Sequence, residues 1–370
     1  MQVVTNRFIP DAEAQAEPPR GKLNLWLSEL IAQNGSDLLL VPDAPPCIRF
    51  EGEVKRIGDQ ALSGEEIESA VLPALSSRAA EVFRQDNITD ASYRIEGLGR
   101  FRINLHRERG LAAAAIRALP SKLPTFRELN LPPGIAALAP LSRGLILVGG
   151  AAGAGKTTTL AALVNEINRL EARHIVTIED PIEYEHPHMK SVIEQIEIGV
   201  DAPDFPTALR AALRQAPDII VVGEMRDPET MHIAVSAAET GHLVLSTLHT
   251  TDVPSTISRI SDSFPPERQN TIRQELAMAL SAVLTQVLVP SKKGGRVPAT
   301  ELLIVGYGAR QHIRRNGLQH IQQEITMSKS KGSYSLEESL ARLIRDGHID
   351  REEALSYANH PDDLNSLMKG

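Results

Sequence analysis

The chain has 370 residues, 42% apolar and 23% charged, the balance of a globular protein long enough for two domains and not that of a disordered one. Its 39 basic and 47 acidic residues leave a net charge of −8, which excludes the global basic footprint of a dedicated nucleic-acid binder. The single cysteine, Cys47, excludes an internal disulfide and any multi-cysteine metal site.

Residues 1–22 are polar with Pro10, Pro18 and Pro19, and read as a mobile tail. They lack the apolar stretch of a signal peptide, so a cytoplasmic location is expected. Leu23, Leu25, Leu27, Leu30 and Ile31 have helical spacing. Strands are expected at 37–41, 47–50 and 53–56. Ser63 and Glu66 form a capping-box signature that opens a helix, and further strands are expected at 101–105 and 113–117. This succession predicts a small α+β domain over residues 23–117. Five prolines between 118 and 143 break any long element, so that stretch reads as a linker. From 144 onward, apolar runs at 144–148, 174–178, 219–222 and 243–248 alternate with helix-compatible segments. That is the pattern of an α/β domain built on a buried, mainly parallel sheet. The apolar run 276–289 is too short for a membrane span and is interrupted by Ser281, Thr285 and Gln286. It is expected to be a buried helix. From Ala309 the chain reads as several helices to 370, with starts at Ser335/Glu338 and Asp350/Glu353.

The run Gly150, Ala151, Ala152, Gly153, Ala154, Gly155, Lys156, Thr157 fits G-x-x-x-x-G-K-[ST]. It follows the strand GLILVG and precedes a helix that continues through Thr158, the context the motif requires. Glycines allow successive backbone N–H groups to turn toward phosphate oxygens, and the helix start adds free donors and a favourable dipole. Lys156 would reach the terminal phosphates of ATP and Thr157 would ligate Mg²⁺. A glycine-rich turn without a ligand is the alternative, and the complete motif with correct flanks argues against it.

Hydrolysis needs a carboxylate to activate water. DIIVVGEMRD places Glu224 just past a strand, after Gly223, where many such sites carry aspartate; Arg226 and Asp227 follow. TIEDPIE after another strand offers Glu179, Asp180 and Glu183. Ligands of open parallel sheets bind beyond the carboxyl ends of strands, and the phosphate loop and both acidic clusters sit at such ends. The alternative is that these carboxylates cap the following helices, which suits Asp227 better than Glu224 and Glu179 together.

TGHLVLSTLHT contains two histidines seven residues apart. An odd separation puts them on opposite faces of a straight strand, which argues against one shared metal. His249, past the carboxyl end, is expected at the phosphate crevice, contacting the γ-phosphate or the attacking water. His242, at the amino end, is equally well read as a hydrogen-bonded structural histidine.

The phosphate loop, IEDPIE, LRAALRQAPDIIVVGEMRD and AAETGHLVLSTLHT occur in this order. Together they resemble the secretion ATPase superfamily, the hexameric motors of type II and type IV secretion and of type IV pili, with the likeness strongest to the PilT-type pilus retraction ATPases. It extends over nearly the whole chain after residue 23. The resemblance implies a PAS-like N-terminal domain and a RecA-like ATPase domain with C-terminal helices. It implies a homo-hexameric ring using ATP and Mg²⁺, an inner-membrane platform protein as partner, other pilus motor ATPases as neighbours, and a place at the inner membrane through the pilus machinery. It assigns Arg102, Arg117, Arg210 and Arg214 to the site, with Asp180 near the metal. Spacing leaves these arginines equally open as surface ion pairs, and places Arg210 and Arg214 on one helical face.

Three positions depart from the family pattern. Leu39 stands where a histidine is usual, and Ala154 replaces a serine of the phosphate loop. The segment GARQHIRRNG, 308–317, matches the retraction-associated AIRNLIREG only at Ala309, Arg315 and Gly317. The resemblance as a whole implies an ATP-driven pilus retraction motor, and the 308–317 departure counts against retraction. An accessory retraction paralogue, a secretion ATPase, and a nucleotide-dependent scaffold with little turnover are the alternatives. One cysteine rules out the four-cysteine zinc module of assembly ATPases.

Overall fold

A computed structural model describes residues 21–369; most of the tail expected at 1–22 lies outside them. The chain divides into two compact units, 21–122 and 123–369.

The first unit carries one six-stranded antiparallel sheet. Its strands are β1 (Asp37–Leu40), β2 (Cys47–Phe50), β3 (Glu53–Arg56), β4 (Ile88–Ile95), β5 (Gly99–Glu108) and β6 (Leu111–Ala118), in the order β3-β2-β1-β6-β5-β4. Strand alternation decides its faces. In β5, Phe101, Ile103 and Leu105 are fully buried, while Arg102, Asn104 and His106 point the other way. The helices Lys22–Ala32, Gly64–Val71 and Ser77–Asp86 cover the apolar face through Leu27, Leu30, Ile67, Val71 and Phe83. The capping box of Ser63 and Glu66 is present. This is the α+β arrangement expected of the PAS-like domain, with β4 as a strand that the alternation in its short polar sequence does not announce.

The second unit holds a seven-stranded sheet, with β7 (Gly144–Gly149), β8 (His174–Glu179), β9 (Val192–Glu197), β10 (Ile219–Val222), β11 (Leu243–Leu248), β12 (Leu280–Pro290) and β13 (Arg296–Ile304). The order is β13-β12-β7-β11-β10-β8-β9, and all pairs are parallel except β12 with β13. Every residue of β7, β10 and β11 is buried, because helices cover both faces. On one side Leu145, Leu147, Ile220, Val222 and Val244 pack against the helices Phe205–Ala212, Pro228–Glu239, Val253–Asp262 and Pro266–Ala279. On the other, Ile146, Val148, Ile219, Val221 and Leu245 meet the helix Lys156–Leu170. The C-terminal helices pack through Leu336, Leu340, Leu343 and Leu364 onto Val289, Val297 and Ala299.

Two expectations are corrected. The stretch 123–143 is part of the second unit and not a free linker. Its prolines prevent a long element, yet Leu131, Ile135 and Leu138 are buried in the core beside Ile146 and Val148, around the short helical turn Pro133–Leu138. The run 276–289 is not one buried helix either. The helix ends at Ala279 and β12 begins at once. Val283, Thr285, Val287 and Val289 favour the pleated conformation, and pairing with β7 and β13 satisfies the backbone of so apolar a segment.

Candidate active site

The register of the parallel strands fixes where the chemistry lies. Val222 pairs with Ile178 and Ser246, and Leu248 with Gly149. Glu179, the last residue of β8, and Gly150, Gly223–Glu224 and His249, which follow the other strands, therefore lie at the carboxyl ends of the strands.

At that edge four helices begin after a strand or loop, and three are capped by aspartate. Asp204, Asp227 and Asp252 each accept the backbone N–H three residues on. The helix Lys156–Leu170 is different: Gly155 precedes it in a left-handed conformation and no side chain caps it. Its first-turn donors are left for a ligand, the arrangement that suits an anion. Gly153 and Gly155 have φ of 75° and 82°, which glycine adopts without cost. A Cβ at Gly150 would lie 2.8 Å from the Gln286 carbonyl oxygen, so no larger residue fits there.

Lys156 is 7% exposed. Its ammonium donates to the carbonyl oxygens of Gly150 and Ala151 at 2.8 and 2.9 Å. Burial lowers its pKa, opposed by the nearby Glu224 carboxylate. His249 stands between the two: Nδ1 is 3.5 Å from Lys156 Nζ and Nε2 is 3.5 Å from Glu224 Oε2. An ammonium only donates, so the imidazole tautomer that satisfies both contacts carries its proton on Nε2. Glu224 also pairs with Arg226 at 2.8 Å. A Cβ at Gly223 would sit 3.2 Å from the Ile178 carbonyl oxygen, a tight contact that a larger residue would have to relieve by a small shift.

Glu179 accepts from Thr177 Oγ1 at 2.7 Å and from Gln195 Nε2 at 3.1 Å. Burial pushes its pKa up against these two bonds. Asp180, next along, is exposed. Thr157 follows Lys156 in the first helical turn, and its hydroxyl has no partner among the described residues. Thr158 contacts Tyr184 through their hydroxyls at 3.1 Å.

The other expected residues are not among these contacts. His242 is at the opposite, amino edge, where Nδ1 contacts the Ala237 carbonyl at 3.2 Å: a satisfied structural histidine. Asp227 is a helix cap, accepting from Thr230 N at 2.8 Å. Arg210 is exposed and paired with Glu229. Arg214 does not share its helix face. The helix ends at Ala212, and tight bonds from Arg214 N to Ala211 O and from Gln215 N to Ala212 O close it. Pro217 ahead disfavours helical continuation. In the first unit, Arg102 and Arg117 lie directly opposite each other on β5 and β6 and pair with Asp90 and Asp37.

A model of the family described as type II/IV secretion system protein matches residues 128–354. The chain belongs to this family. It is 39% identical to the type IV pilus retraction ATPase PilT of Pseudomonas aeruginosa, over 91% of this chain and 99% of that protein. It is 35% identical to the type IV pilus ATPase PilU of the same organism, over 92% and 89%. The crystal structure of a PilT retraction motor with bound ADP superposes with a TM-score of 0.85 at 39% identity, covering 94% of this chain and all of that one. Members of the secretion ATPase family hydrolyse ATP, and this chain is an ATP-hydrolysing enzyme with the PAS-like and RecA-like architecture.

The residues present fit a magnesium nucleotide. The uncapped helix start, the glycine cradle and a buried ammonium suit phosphate, and the free Thr157 hydroxyl is a hard oxygen donor. Among the described residues no group of three or more His, Cys, Asp or Glu could hold a metal by itself.

The sequence reading misses the residues that brace this secretion ATPase site. Gln286, in β12, accepts from Thr159 Oγ1 at 2.7 Å and donates to the Ala154 carbonyl at 2.6 Å, clamping the phosphate loop to its helix. Gln195, in β9, holds Glu179 and also the Tyr184 carbonyl at 2.9 Å. The only signal for Gln286 is that it interrupts an apolar run. Replacing it, Gln286→Leu, leaves a buried hydroxyl and a loop carbonyl without partners. The expected loss is about 1–3 kcal/mol for each group, read as a lower midpoint in denaturant unfolding, together with weaker ATP binding in a titration.

Proposed function

We propose that this protein is the motor ATPase that retracts a type IV pilus, acting as a ring of six copies on ATP and Mg²⁺. The observation that carries the reading is the convergence of Lys156, Glu224 and His249 over the uncapped helix start, in a chain similar along its length to a pilus retraction ATPase. The assigned place is the cytoplasmic face of the inner membrane, against the pilus platform protein and beside other pilus motor ATPases. No helix among the described residues is long and apolar enough to cross a membrane. Nucleic acid is not an assigned partner.

In this reading the backbone from Gly150 through Ala151, Ala152, Gly153, Ala154 and Gly155 cradles the phosphates, followed by Thr157 and Thr158. Lys156 exchanges its two loop carbonyls for phosphate oxygens. Thr157, with Asp180 toward its water shell, would hold Mg²⁺, which when bound neutralises charge on the terminal phosphates. Glu224 accepts the proton of the attacking water. Glu179, kept in place by Thr177 and Gln195, orients that water. His249, donating from Nε2, reports whether a γ-phosphate is present. Arg102, Arg117, Arg210 and Arg214 are the assigned cations for the developing phosphoryl charge. Segment 308–317 favours one second reading, an accessory retraction ATPase, because it departs from the retraction pattern.

Glu224→Gln is expected to keep ATP binding and lose turnover by about 10²–10⁴-fold, the weight of a general base. Turnover within a few-fold of wild type would remove Glu224 from that role and favour a scaffold that needs no hydrolysis. Lys156→Ala is expected to weaken ATP binding in a titration, and an unchanged affinity would contradict the phosphate site. Counting surface pili in a strain without the gene tests the motor's direction. Excess pili with lost surface motility is the expected result, bald cells would make this an assembly motor, and unchanged pili would favour the accessory reading.

A further inference from the structure

One buried carboxylate has no part in the reaction described above. Glu301 lies in β13 at 3% exposure, opposite Thr285 of β12. No cation pairs with it among the described residues. An unpaired buried carboxylate is costly, so its neighbours are informative.

Two elements reach it from different parts of the chain. Gln322 Nε2, on the helix Ile321–Met327, donates to Oε1 at 3.3 Å. The helix Val253–Asp262 packs against β13, and the backbone N–H of Val253 at its start favours the charged form of Glu301. First-turn N–H groups have no partner within their helix and attract negative charge. That helix follows His249 through a short tied loop: the hydroxyls of Thr250 and Thr256 are 2.7 Å apart, and Thr256 Oγ1 donates to the Asp252 carbonyl at 2.7 Å. On the other side, the helix of Gln322 packs against the helix Tyr307–Arg314, within the segment that departs from the family pattern.

We infer that Glu301 is a positioning residue that ties the helix after the His249 loop to the C-terminal helices, so that the C-terminal segment sets where His249 stands. The inference rests on the assignment of His249 to ATP turnover. Burial raises the Glu301 pKa to about 7 against the bond from Gln322, with Glu337 and Asp252 adding repulsion. The titratable groups facing it are Glu337, Asp252 and Tyr334. The carboxylate gains its charge as pH rises through that value and then holds the helix start more firmly.

The test measures kcat and KM for ATP with the full-length protein between about pH 6 and pH 8.5, bracketing the titration. For wild type, kcat is expected to rise about fivefold across this interval at constant KM, the scale of a charge at a helix start. Glu301→Gln should lose the rise. Gln322→Ala should move its midpoint to higher pH, because it removes a bond that favours the charged form. A Glu301→Gln protein with an unaltered profile overturns the inference. If that variant does not fold, an unmoved midpoint in Gln322→Ala overturns it instead. His249→Ala separates the two possible failures. Unaffected turnover there removes the His249 assignment and the inference with it, whereas a drop beside an unaltered Glu301→Gln removes the Glu301 inference alone.

Discussion

The parallel register of β7, β11, β10 and β8 is the constraint on which the site depends, and apolar patterning does not supply it. A strand buried on one face only is pinned, because a slip of one residue would expose its core side chains. Strands β7, β10 and β11 are apolar on both faces, so a slip merely exchanges one set of aliphatic groups for another. Hydroxyls at the carboxyl ends supply the missing specification. Ser246 donates to the Val222 carbonyl at 2.8 Å and Thr247 to the Gly223 carbonyl at 2.7 Å. A shifted register would leave these buried groups unpaired, at a cost of about 1–3 kcal/mol each. The same bonds fix the backbone on either side of Glu224 and His249. The groups that set the register are thus the groups that set the site.

A buried ammonium organises the rest of that edge. Lys156 is kept below the surface with neutral carbonyl oxygens as its nearest partners, which only partly offset the desolvation that lowers its pKa. A phosphate oxygen is a better partner for it than a carbonyl, being charged. Gln286 fixes the far end of the loop through the Ala154 carbonyl.

The sequence displays those parts of this protein whose chemistry is local. The phosphate loop is legible because glycine spacing, lysine and helix start are contiguous. The strands 47–50, 53–56, 219–222 and 243–248 are legible because their apolar or alternating runs are bounded by turn residues. Illegible parts depend on distant partners. β4 is polar on one face and becomes a strand by pairing with β5. β12 shares its apolar run with the end of a helix, and periodicity over so short a stretch does not separate the two. Gln195 and Gln286 acquire their roles only when β9 and β12 are placed beside the loops they brace. Arg214 is misread for a related reason: helical spacing continues in the sequence after the hydrogen bonding of the helix has closed.

The first unit follows a different logic, in which exposure matters more than burial. Arg102 and Arg117 face each other across the β5–β6 ladder, and like charges so placed repel. Asp90 and Asp37 relieve the repulsion at 3.2 and 2.8 Å. Both arginine side chains remain substantially exposed, at 41% and 67%, where an ion pair is worth only about 0–1 kcal/mol. Releasing either guanidinium from its aspartate therefore costs little. The sheet underneath buries Phe101, Ile103 and Ile116 on its other face, and its register sets both arginines opposite each other in the ladder.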